Sequence, residues 1–196
     1  MKADQSYLNY LIFQISEKDD EKSFELLFKL LYKRLNNFSY NFVHSRELAE
    51  EIVSDVFIKL WNNRKKLSHI EAIDTYLYIA TKNQSLNQIS YLSSHHLSSD
   101  KDQIELNNFV DNFDPEKEFE LSQLISDINL AVDSLPSQCK TVYKLIREDG
   151  FKYKQVAEIL NISVRTVETQ LVRAMKKLSI ALKSHTSLDS FSSNKK

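Results

Sequence analysis

The residues best suited to recognise a ligand lie together near the C-terminal end of the chain, on one side of a predicted helix. They are Arg165, Thr166, Glu168, Thr169, Gln170 and Arg173. Arg hydrogen-bonds well to guanine edges, Gln to adenine and Glu to the cytosine amine. Lys152, Lys176 and Lys177 flank this face. The pattern is that of a helix that reads a DNA major groove.

A helix-turn-helix over residues 151–178 would hold that face outward. Asn161 falls in the predicted turn, where Asn tolerates positive φ, and Ser163 can cap the second helix. The crossing needs apolar residues, found at Val156, Ala157, Leu160, Ile162, Val167 and Leu171. An ordinary helical hairpin in an all-α core would show the same spacing, so both interpretations stand at this point.

The composition predicts a protein of long helices. Its 196 residues contain one glycine and two prolines, and 42% are hydrophobic, enough for packed cores. No apolar run is long enough to cross a bilayer, and the polar N-terminus starts no secretory signal. Cys139 is the only cysteine, which excludes an intramolecular disulfide and a cysteine metal cluster. A cytoplasmic protein is expected.

Charge is distributed unevenly behind a net value of −1. Residues 121–183 carry ten Lys or Arg against six Asp or Glu, whereas residues 97–120 carry two Lys against eight Asp or Glu. A basic C-terminal region is therefore separated from a neutral N-terminal region by an acidic strip. Such asymmetry is more informative about a nucleic-acid partner than the total charge.

Apolar residues at helical spacing predict three helices in the first half, at about 20–37, 46–65 and 72–92, with a shorter one possible at 7–15. Ser45 can cap the second helix. The apolar stripe expected on the third helix consists of Tyr76, Leu77, Ala80, Leu86 and Ile89. Helices with wide apolar faces can close a small bundle.

Residues 93–114 are rich in Ser, Asp and Asn without an apolar period, which predicts a flexible linker. Helices at about 115–132 and 136–148 follow, and Gly150 stands where a helix ends in the left-handed conformation. The predicted fold class is all-α: two small helical bundles joined by an acidic flexible linker, the C-terminal bundle containing the helix-turn-helix.

With these motifs in place, the chain resembles the extracytoplasmic-function (ECF) sigma factors of bacterial RNA polymerase over nearly its whole length. The first block is Ala49–Trp61, AEEIVSDVFIKLW, followed by YLYIATKN at 76–83 and Leu86-Asn87; the second is Leu135-Pro136, GFKYKQVAEIL at 150–160, Ile162-Ser163 and Thr166-Val167. The second block alone also looks like the helix-turn-helix of response regulators. Both blocks in this order, with an acidic linker between them, are specific to the sigma-factor family.

The resemblance implies a division of the chain into four segments. Residues 1–94 would form sigma region 2, which binds the polymerase clamp and the minus-10 element, and 95–114 would be the acidic linker in the RNA path. Residues 115–184 would form sigma region 4, which reads the minus-35 element and contacts the polymerase flap, and 185–196 would be a frayed tail. The implied partners are core RNA polymerase, promoter DNA and an anti-sigma factor, with no cofactor, no enzymatic activity and no membrane insertion.

The resemblance implies that the face from Arg165 to Arg173 contacts the minus-35 element and that Lys152, Lys176 and Lys177 contact its phosphates. It also carries over two further sets of residue roles. Glu50, Glu51 and Asp55 would bind core polymerase, although a solvated helix face explains an acidic stripe equally well without the family. The minus-10 DNA would be held by Arg64, Lys65, Lys66, His69, Tyr76, Lys82, Asn83 and Asn87. The family usually places Arg or Lys at the end of this helix, where the chain has His95-His96, so weaker phosphate contacts are expected there. These two histidines lack a third ligand, and no metal site is predicted.

Two other classes of protein remain as alternatives. A stand-alone helix-turn-helix regulator of the response-regulator type would need alternating strands and helices in the N-terminal half, which the sequence does not show. A helical enzyme would need a catalytic constellation, but the sequence contains no phosphate loop, catalytic triad or His-based metal motif.

Overall fold

The computed structural model describes residues 4–95 and 128–192, and every regular element among them is helical. The first unit contains α1 (Gln5–Lys18), α2 (Glu21–Val43), α3 (Arg46–Asn62), a 3₁₀ helix (Arg64–His69) and α4 (Ile73–His95). The second unit contains α5, described over 128–133, then α6 (Ser137–Arg147), α7 (Tyr153–Leu160) and α8 (Val164–Ser192). The predicted all-α fold with two helical bundles is confirmed. Of the linker predicted at 95–114, residues 96–114 lie outside the described residues, as does the helix predicted at 115–132 up to residue 127.

Short capped turns fold the first unit back on itself. Asp19 adopts φ 54° and ends α1, and the Asp20 carboxylate then accepts a hydrogen bond from the Ser23 backbone N–H at 3.2 Å to start α2. The next turn is built in the same way. His44 adopts φ 54° and ends α2, and the Ser45 hydroxyl accepts a hydrogen bond from the Leu48 N–H at 3.2 Å, which confirms the predicted Ser45 cap. A side-chain cap stabilises a helix by about 1 kcal/mol, so these turns fix where the helices begin.

The core of the first unit forms between α2 and its neighbours. Leu27, Leu31 and Leu35 are fully buried on one stripe of α2. The Phe57 ring of α3 lies 4.8 Å from that of Phe28 in an edge-on arrangement. Removing a buried aromatic side chain of this kind costs about 3–5 kcal/mol. These contacts stabilise α2 and α3 as the frame on which the remaining elements lie.

The buried face of α4 differs from the predicted stripe. Leu77 is buried as predicted, but Leu86 and Ile89 are exposed, and so is Tyr76. Small polar residues replace them inside: Ser85 is fully buried, and its hydroxyl lies 2.9 Å from that of Ser39 on α2. A search for apolar periodicity misses this face because buried Ser and Thr bonded to one another read as polar positions.

The second unit packs α5, α6 and α7 against the first turns of α8. Its own core includes Val132, Leu135, Cys139, Ala174 and Leu178. The backbone of α8 continues as helix to Ser192, past residue 185 where the sequence predicted a frayed tail. The helix that carries the candidate DNA-reading face is thus also the longest described element of the fold.

The two units contact one another. Tyr78 of α4 and Phe151, just before α7, are both buried, and their rings lie 4.8 Å apart at 75°. One hydrophobic core therefore continues from the first unit into the second. None of the described helices has the length and hydrophobicity needed to cross a membrane.

Candidate nucleic-acid interface

The turn before α8 points the start of that helix outward. Asn161 adopts φ 56° and ψ 51°, the left-handed conformation that the sequence predicted. The Ser163 hydroxyl then accepts a hydrogen bond from the Thr166 N–H at 3.0 Å, which confirms the predicted cap. Beneath the turn, Val156 and Val167 are fully buried, so apolar packing fixes the angle at which α7 and α8 cross.

The outer side of α8 presents most of the predicted base-reading residues to solvent. Arg165, Glu168 and Thr169 are exposed on its first turns, and Arg173 follows two turns later. Neither Arg165 nor Arg173 forms an ion pair within the part of the chain that the structure describes. These guanidinium groups are therefore available for a ligand of opposite charge.

Gln170 differs from its neighbours because α6 holds it. Its side-chain oxygen accepts a hydrogen bond from Cys139 Sγ at 2.9 Å, and its amide nitrogen donates to the Gln138 side-chain oxygen at 3.2 Å. Thr166 is likewise half-buried, beneath the Ser163 cap. Both side chains help to orient the helix, and either would have to exchange a bond to contact a base.

A basic groove of about 620 Å³ lies between the start of α6 and the outer side of α8. Arg173, Lys176 and Lys177 line one wall, and Ser137 and Gln138 line the other. Lys152, at the start of α7, is also exposed. Cations beside a reading face are typical of a surface that follows a phosphate backbone.

In the first unit, a carboxylate already holds two of the predicted phosphate-binding cations. Arg64 donates from Nε to Asp19 Oδ1, and Lys65 donates from Nζ to Asp19 Oδ2 at 2.8 Å. The hydrogen bond from Lys65, followed by that from Arg64, holds the pKa of Asp19 below its usual range. The sequence analysis missed Asp19 because it lies 45 residues before Arg64.

Trp61 adds a second constraint on the same guanidinium. The Arg64 Cζ atom lies 4.4 Å from the centroid of the Trp61 ring, and Nη1 donates to the Trp61 carbonyl oxygen at 3.0 Å. Lys66 and His69, farther along the 3₁₀ helix, are exposed. Lys66 and His69 therefore face solvent, whereas Arg64 and Lys65 are already bonded to Asp19.

Three of the predicted residues on α4 share an exposed face. Tyr76 is 43% exposed, and Asn83 and Asn87 follow it at helical spacing. Lys82 does not share that face: its side chain is only 9% exposed, and burial lowers its pKa. An aromatic ring followed by two amides suits stacking on, and hydrogen bonding to, unpaired bases.

The acidic face of α3 lies apart from both of these surfaces. Glu50 and Glu51 are exposed and Asp55 is half-buried, and none of them forms an ion pair with a described cation. Ile58 follows on the same side of the helix and is 58% exposed, which the sequence analysis overlooked although a helical wheel would have found it. A cluster of unpaired acids can steer a basic partner to this face.

Two family models match the chain. The one described as Sigma-70 region 2 matches residues 27–94, and the one described as Sigma-70, region 4 matches residues 125–178. The ECF RNA polymerase sigma-E factor of Escherichia coli (strain K12) is 27% identical over 130 residues, covering 63% of this chain and 68% of that protein. The sigma-E factor of Haemophilus influenzae is 26% identical over 136 residues, covering 66% and 72%.

Two solved structures share the fold. The sigma factor RpoE, in its complex with the anti-sigma factor NepR from Bartonella quintana, aligns with a TM-score of 0.63 at 21% identity, over 83% of this chain and 98% of that chain. CnrH, in complex with the cytosolic domain of CnrY, aligns with a TM-score of 0.56 at 18% identity, over 91% and 98%. At these identities the structural likeness concerns the arrangement of helices.

Proposed function

We propose a division of labour between the two units of this chain, which belongs to the ECF family of RNA polymerase sigma factors. A sigma factor binds core polymerase and directs promoter recognition at initiation, and this is the function of the protein. The first unit would bind the clamp and open the minus-10 element, and the second would read the minus-35 element. The stand-alone response-regulator alternative is not favoured, because both family models describe sigma-factor regions and the described first unit contains no strand.

The observation that carries this assignment is the exposed, unpaired face of α8. Arg165 and Arg173 would donate to base edges, with Glu168 and Thr169 between them, and a bidentate Arg–guanine pair discriminates by about 1–3 kcal/mol. Lys176, Lys177 and Lys152 would neutralise phosphates. Thr166 and Gln170 would act indirectly. The bond to Ser163 holds Thr166, the bonds to α6 hold Gln170, and both sets of contacts orient the reading helix.

The first unit would hold the non-template strand of the opened minus-10 element. Tyr76 would stack on a base, with Asn83 and Asn87 bonding beside it, and base–aromatic stacking contributes about 1–3 kcal/mol per base. Lys66 and His69 are ready to contact DNA, whereas Arg64 and Lys65 would first exchange Asp19 for phosphate. Lys82 lies on the buried side of α4 and would not contact DNA in this arrangement.

The acidic face of α3 would bind the clamp of core polymerase. Glu50, Glu51 and Asp55 would steer a basic partner, and Ile58 would be covered on docking. We also propose an anti-sigma partner, by analogy with RpoE bound to NepR and CnrH bound to CnrY. The protein would act in the cytoplasm and would itself catalyse no reaction, since a sigma factor works by binding.

Run-off transcription with purified core polymerase and a promoter library tests the second-unit assignment. Wild-type protein should give transcripts that share two spaced upstream motifs, and Arg165→Ala should relax the preference at one minus-35 position with a loss of about tenfold or more. Arg147→Ala, which removes an exposed arginine from the end of α6, is the matched control and should leave the preference intact. Equal effects of the two substitutions would contradict the assignment.

Core binding is tested separately by charge reversal on α3. Glu50→Lys with Glu51→Lys should weaken association with core polymerase by at least about tenfold, chiefly through a slower on-rate at low salt. Glu17→Lys reverses an exposed charge on α1 and serves as the control. If the double variant binds core as tightly as the control does, the clamp does not dock on this face.

A further inference from the structure

The 3₁₀ helix in the first unit is longer than such helices usually are. It runs for six residues, from Arg64 to His69, whereas 3₁₀ runs beyond about three or four residues are uncommon because their hydrogen-bond geometry is poor. Asn63, the residue before it, makes no side-chain cap. Local interactions therefore do not account for this segment, and contacts from elsewhere in the fold must stabilise it.

Helix α1 supplies those contacts. It packs on the 3₁₀ helix more extensively than any other described element does. Leu67 of the 3₁₀ helix is 2% exposed and belongs to the same buried cluster as Leu8, Leu11 and Ile15 of α1. The region 2 family model matches the chain from residue 27, so α1 lies outside the matched residues. The support for the 3₁₀ helix thus comes from a part of this chain that the model does not cover.

Asp19 holds the start of the segment. It follows α1 in the left-handed conformation, and its two carboxylate oxygens accept hydrogen bonds from Arg64 Nε and Lys65 Nζ. The Asp19 side chain is 45% exposed. Phosphate from a solvent-borne strand can therefore replace this carboxylate, and the contact at the start of the segment is an exchangeable one.

Gln5 holds the other end of the segment. Its Nε2 donates to the Glu71 carbonyl oxygen at 3.3 Å and to Asn9 Oδ1 at 3.1 Å, so each amide N–H has an acceptor. The bond to Asn9, one turn later in α1, orients the amide toward Glu71. Because a backbone carbonyl can only accept a hydrogen bond, a phosphate cannot replace it as the partner of Gln5. This contact can therefore persist when DNA binds.

The two polar contacts lie at opposite ends of one helix. Gln5 begins a helix of 14 residues and Asp19 follows it, so the contacts are about 20 Å apart along its axis. Leu67 packs between them, and Lys66 and His69 on either side of it are exposed. The segment that carries these two side chains is thus held at both ends and in the middle.

We propose that α1 braces residues 63–72 in one conformation, and that Gln5 is a positioning residue for recognition of the minus-10 element. The brace sets where Lys66 and His69 lie relative to Tyr76, which lets the first unit discriminate between minus-10 sequences. Asp19 holds the start of the segment only until phosphate takes its place, whereas the Gln5 and Leu67 contacts remain. The brace rests on the function proposed above, since it requires this segment to contact the minus-10 element.

Selectivity separates positioning from affinity. The core-bound protein is titrated with single-stranded minus-10 DNA and with versions that carry one changed base. Gln5→Glu removes the donor at nearly constant shape and should lower the ratio of matched to mismatched affinity by about threefold to tenfold at one or more positions. Asp19→Asn should raise affinity for all sequences and leave that ratio unchanged. Gln14→Glu makes the same change on the opposite side of α1 and should also leave the ratio unchanged.

The mobility of the segment is measured in the free protein. A spin label at Ser68→Cys, in a Cys139→Ser background, reports from an exposed position on the 3₁₀ helix. Wild type should give one slow component. Gln5→Glu, and independently Asp19→Asn, should raise the mobile fraction by about threefold or more, whereas Gln14→Glu should not.

Failure of the brace and failure of the minus-10 assignment give different results. Wild-type selectivity in Gln5→Glu, or an equal loss of affinity for matched and mismatched DNA, would overturn the positioning role. An unchanged label spectrum in both Gln5→Glu and Asp19→Asn would overturn the brace itself. Absence of any base preference in the wild-type complex with core polymerase would instead overturn the minus-10 assignment on which the brace depends.

Discussion

The two surfaces that we propose to face DNA in this sigma factor differ in how their cations are paired. On α8, Arg165 and Arg173 stand exposed without a described ion-pair partner. On the 3₁₀ helix, Arg64 and Lys65 both bond to Asp19. Net charge does not distinguish the two surfaces; the position of one carboxylate does.

Under the proposed assignment, this difference would distinguish a surface that reads a duplex from one that holds an opened strand. An exposed arginine face gives immediate, salt-dependent affinity because counterions leave as phosphates arrive. A surface whose cations are internally paired gains less, since each new bond to phosphate replaces an existing one. The first unit is thus suited to bind unpaired bases, because stacking on Tyr76 then adds affinity that the replacement of Asp19 by phosphate does not supply.

The largest effect should come from removing the exposed arginines. Arg165→Ala with Arg173→Ala should weaken binding of the second unit to minus-35 duplex by about 100-fold or more, since each bidentate pair contributes about 1–3 kcal/mol. The slope of the logarithm of affinity against that of salt concentration should change little, because Lys152, Lys176 and Lys177 are the residues assigned to phosphate. Fluorescence anisotropy across a salt series measures both quantities.

The matched pair in the first unit is Arg64→Ala with Lys65→Ala. It should reduce binding of single-stranded minus-10 DNA to the core-bound protein by only a few-fold, because in the wild type each bond to phosphate is formed at the expense of a bond to Asp19. If this pair weakened binding as much as the α8 pair does, the two surfaces would not differ in how their cations act.

A gain of affinity is expected when the internal carboxylate is neutralised. Asp19→Asn keeps the shape of the side chain but frees Arg64 and Lys65, so single-stranded minus-10 DNA should bind about threefold to tenfold more tightly at low salt. Glu25→Gln, which frees Lys29 on α2, is the control and should change nothing. Unchanged affinity for Asp19→Asn would show that the Asp19 carboxylate does not compete with phosphate.

Lys82 provides a smaller test, through stability. Because burial lowers its pKa, charged Lys82 opposes folding, and Lys82→Met should raise the melting temperature by about 1–3 °C near neutral pH. The lowered folded-state pKa means that wild type gains stability as pH rises through it, so the advantage of the variant should shrink at alkaline pH. A lower melting temperature for Lys82→Met would indicate that the ammonium group stabilises α4.

The smallest expected effect concerns the titration of Asp19 itself. Its lowered pKa predicts a carboxyl midpoint by nuclear magnetic resonance below the ordinary value of about 3.9. Since a depressed folded-state pKa stabilises the protein above the unfolded value, this contribution is constant at neutral pH and is lost only as pH falls through the folded pKa. Lys65→Ala should move the midpoint upward more than Arg64→Ala does, because the Lys65 hydrogen bond is the larger cause.

Local sequence was enough to predict the helix-turn-helix and the helix starts. The roles of Ser45, Asn161, Ser163 and Gly150 depend on their own backbone and the next few residues, so each could be assigned without knowing the fold. Tyr76 and Tyr78 are two positions apart on α4, and the sequence analysis placed Tyr76, not Tyr78, on the apolar stripe. The structure buries Tyr78 because Phe38 and Phe151 meet there.

Contacts between residues far apart in the sequence could not be predicted from local sequence. Asp19 meets Arg64 across 45 positions, and Arg34 meets Asp149 across 115. No periodicity links such partners, because tertiary packing alone brings them together. The residue roles at both DNA surfaces therefore remain predictions, while the pairing of the cations is a property of the folded chain.

The only glycine of the chain lies between Asp149 and Phe151. Within residues 4–95 and 128–192, the other left-handed positions besides Gly150 are Asp19, His44 and Asn161, which all carry a β-carbon. Gly150→Ala or Gly150→Val should therefore strain the turn between the units by about 1–2 kcal/mol and lower the melting temperature of the protein. Gly150→Asn places a residue that tolerates this conformation and should lower the melting temperature less, and thermal unfolding of the three variants measures the difference.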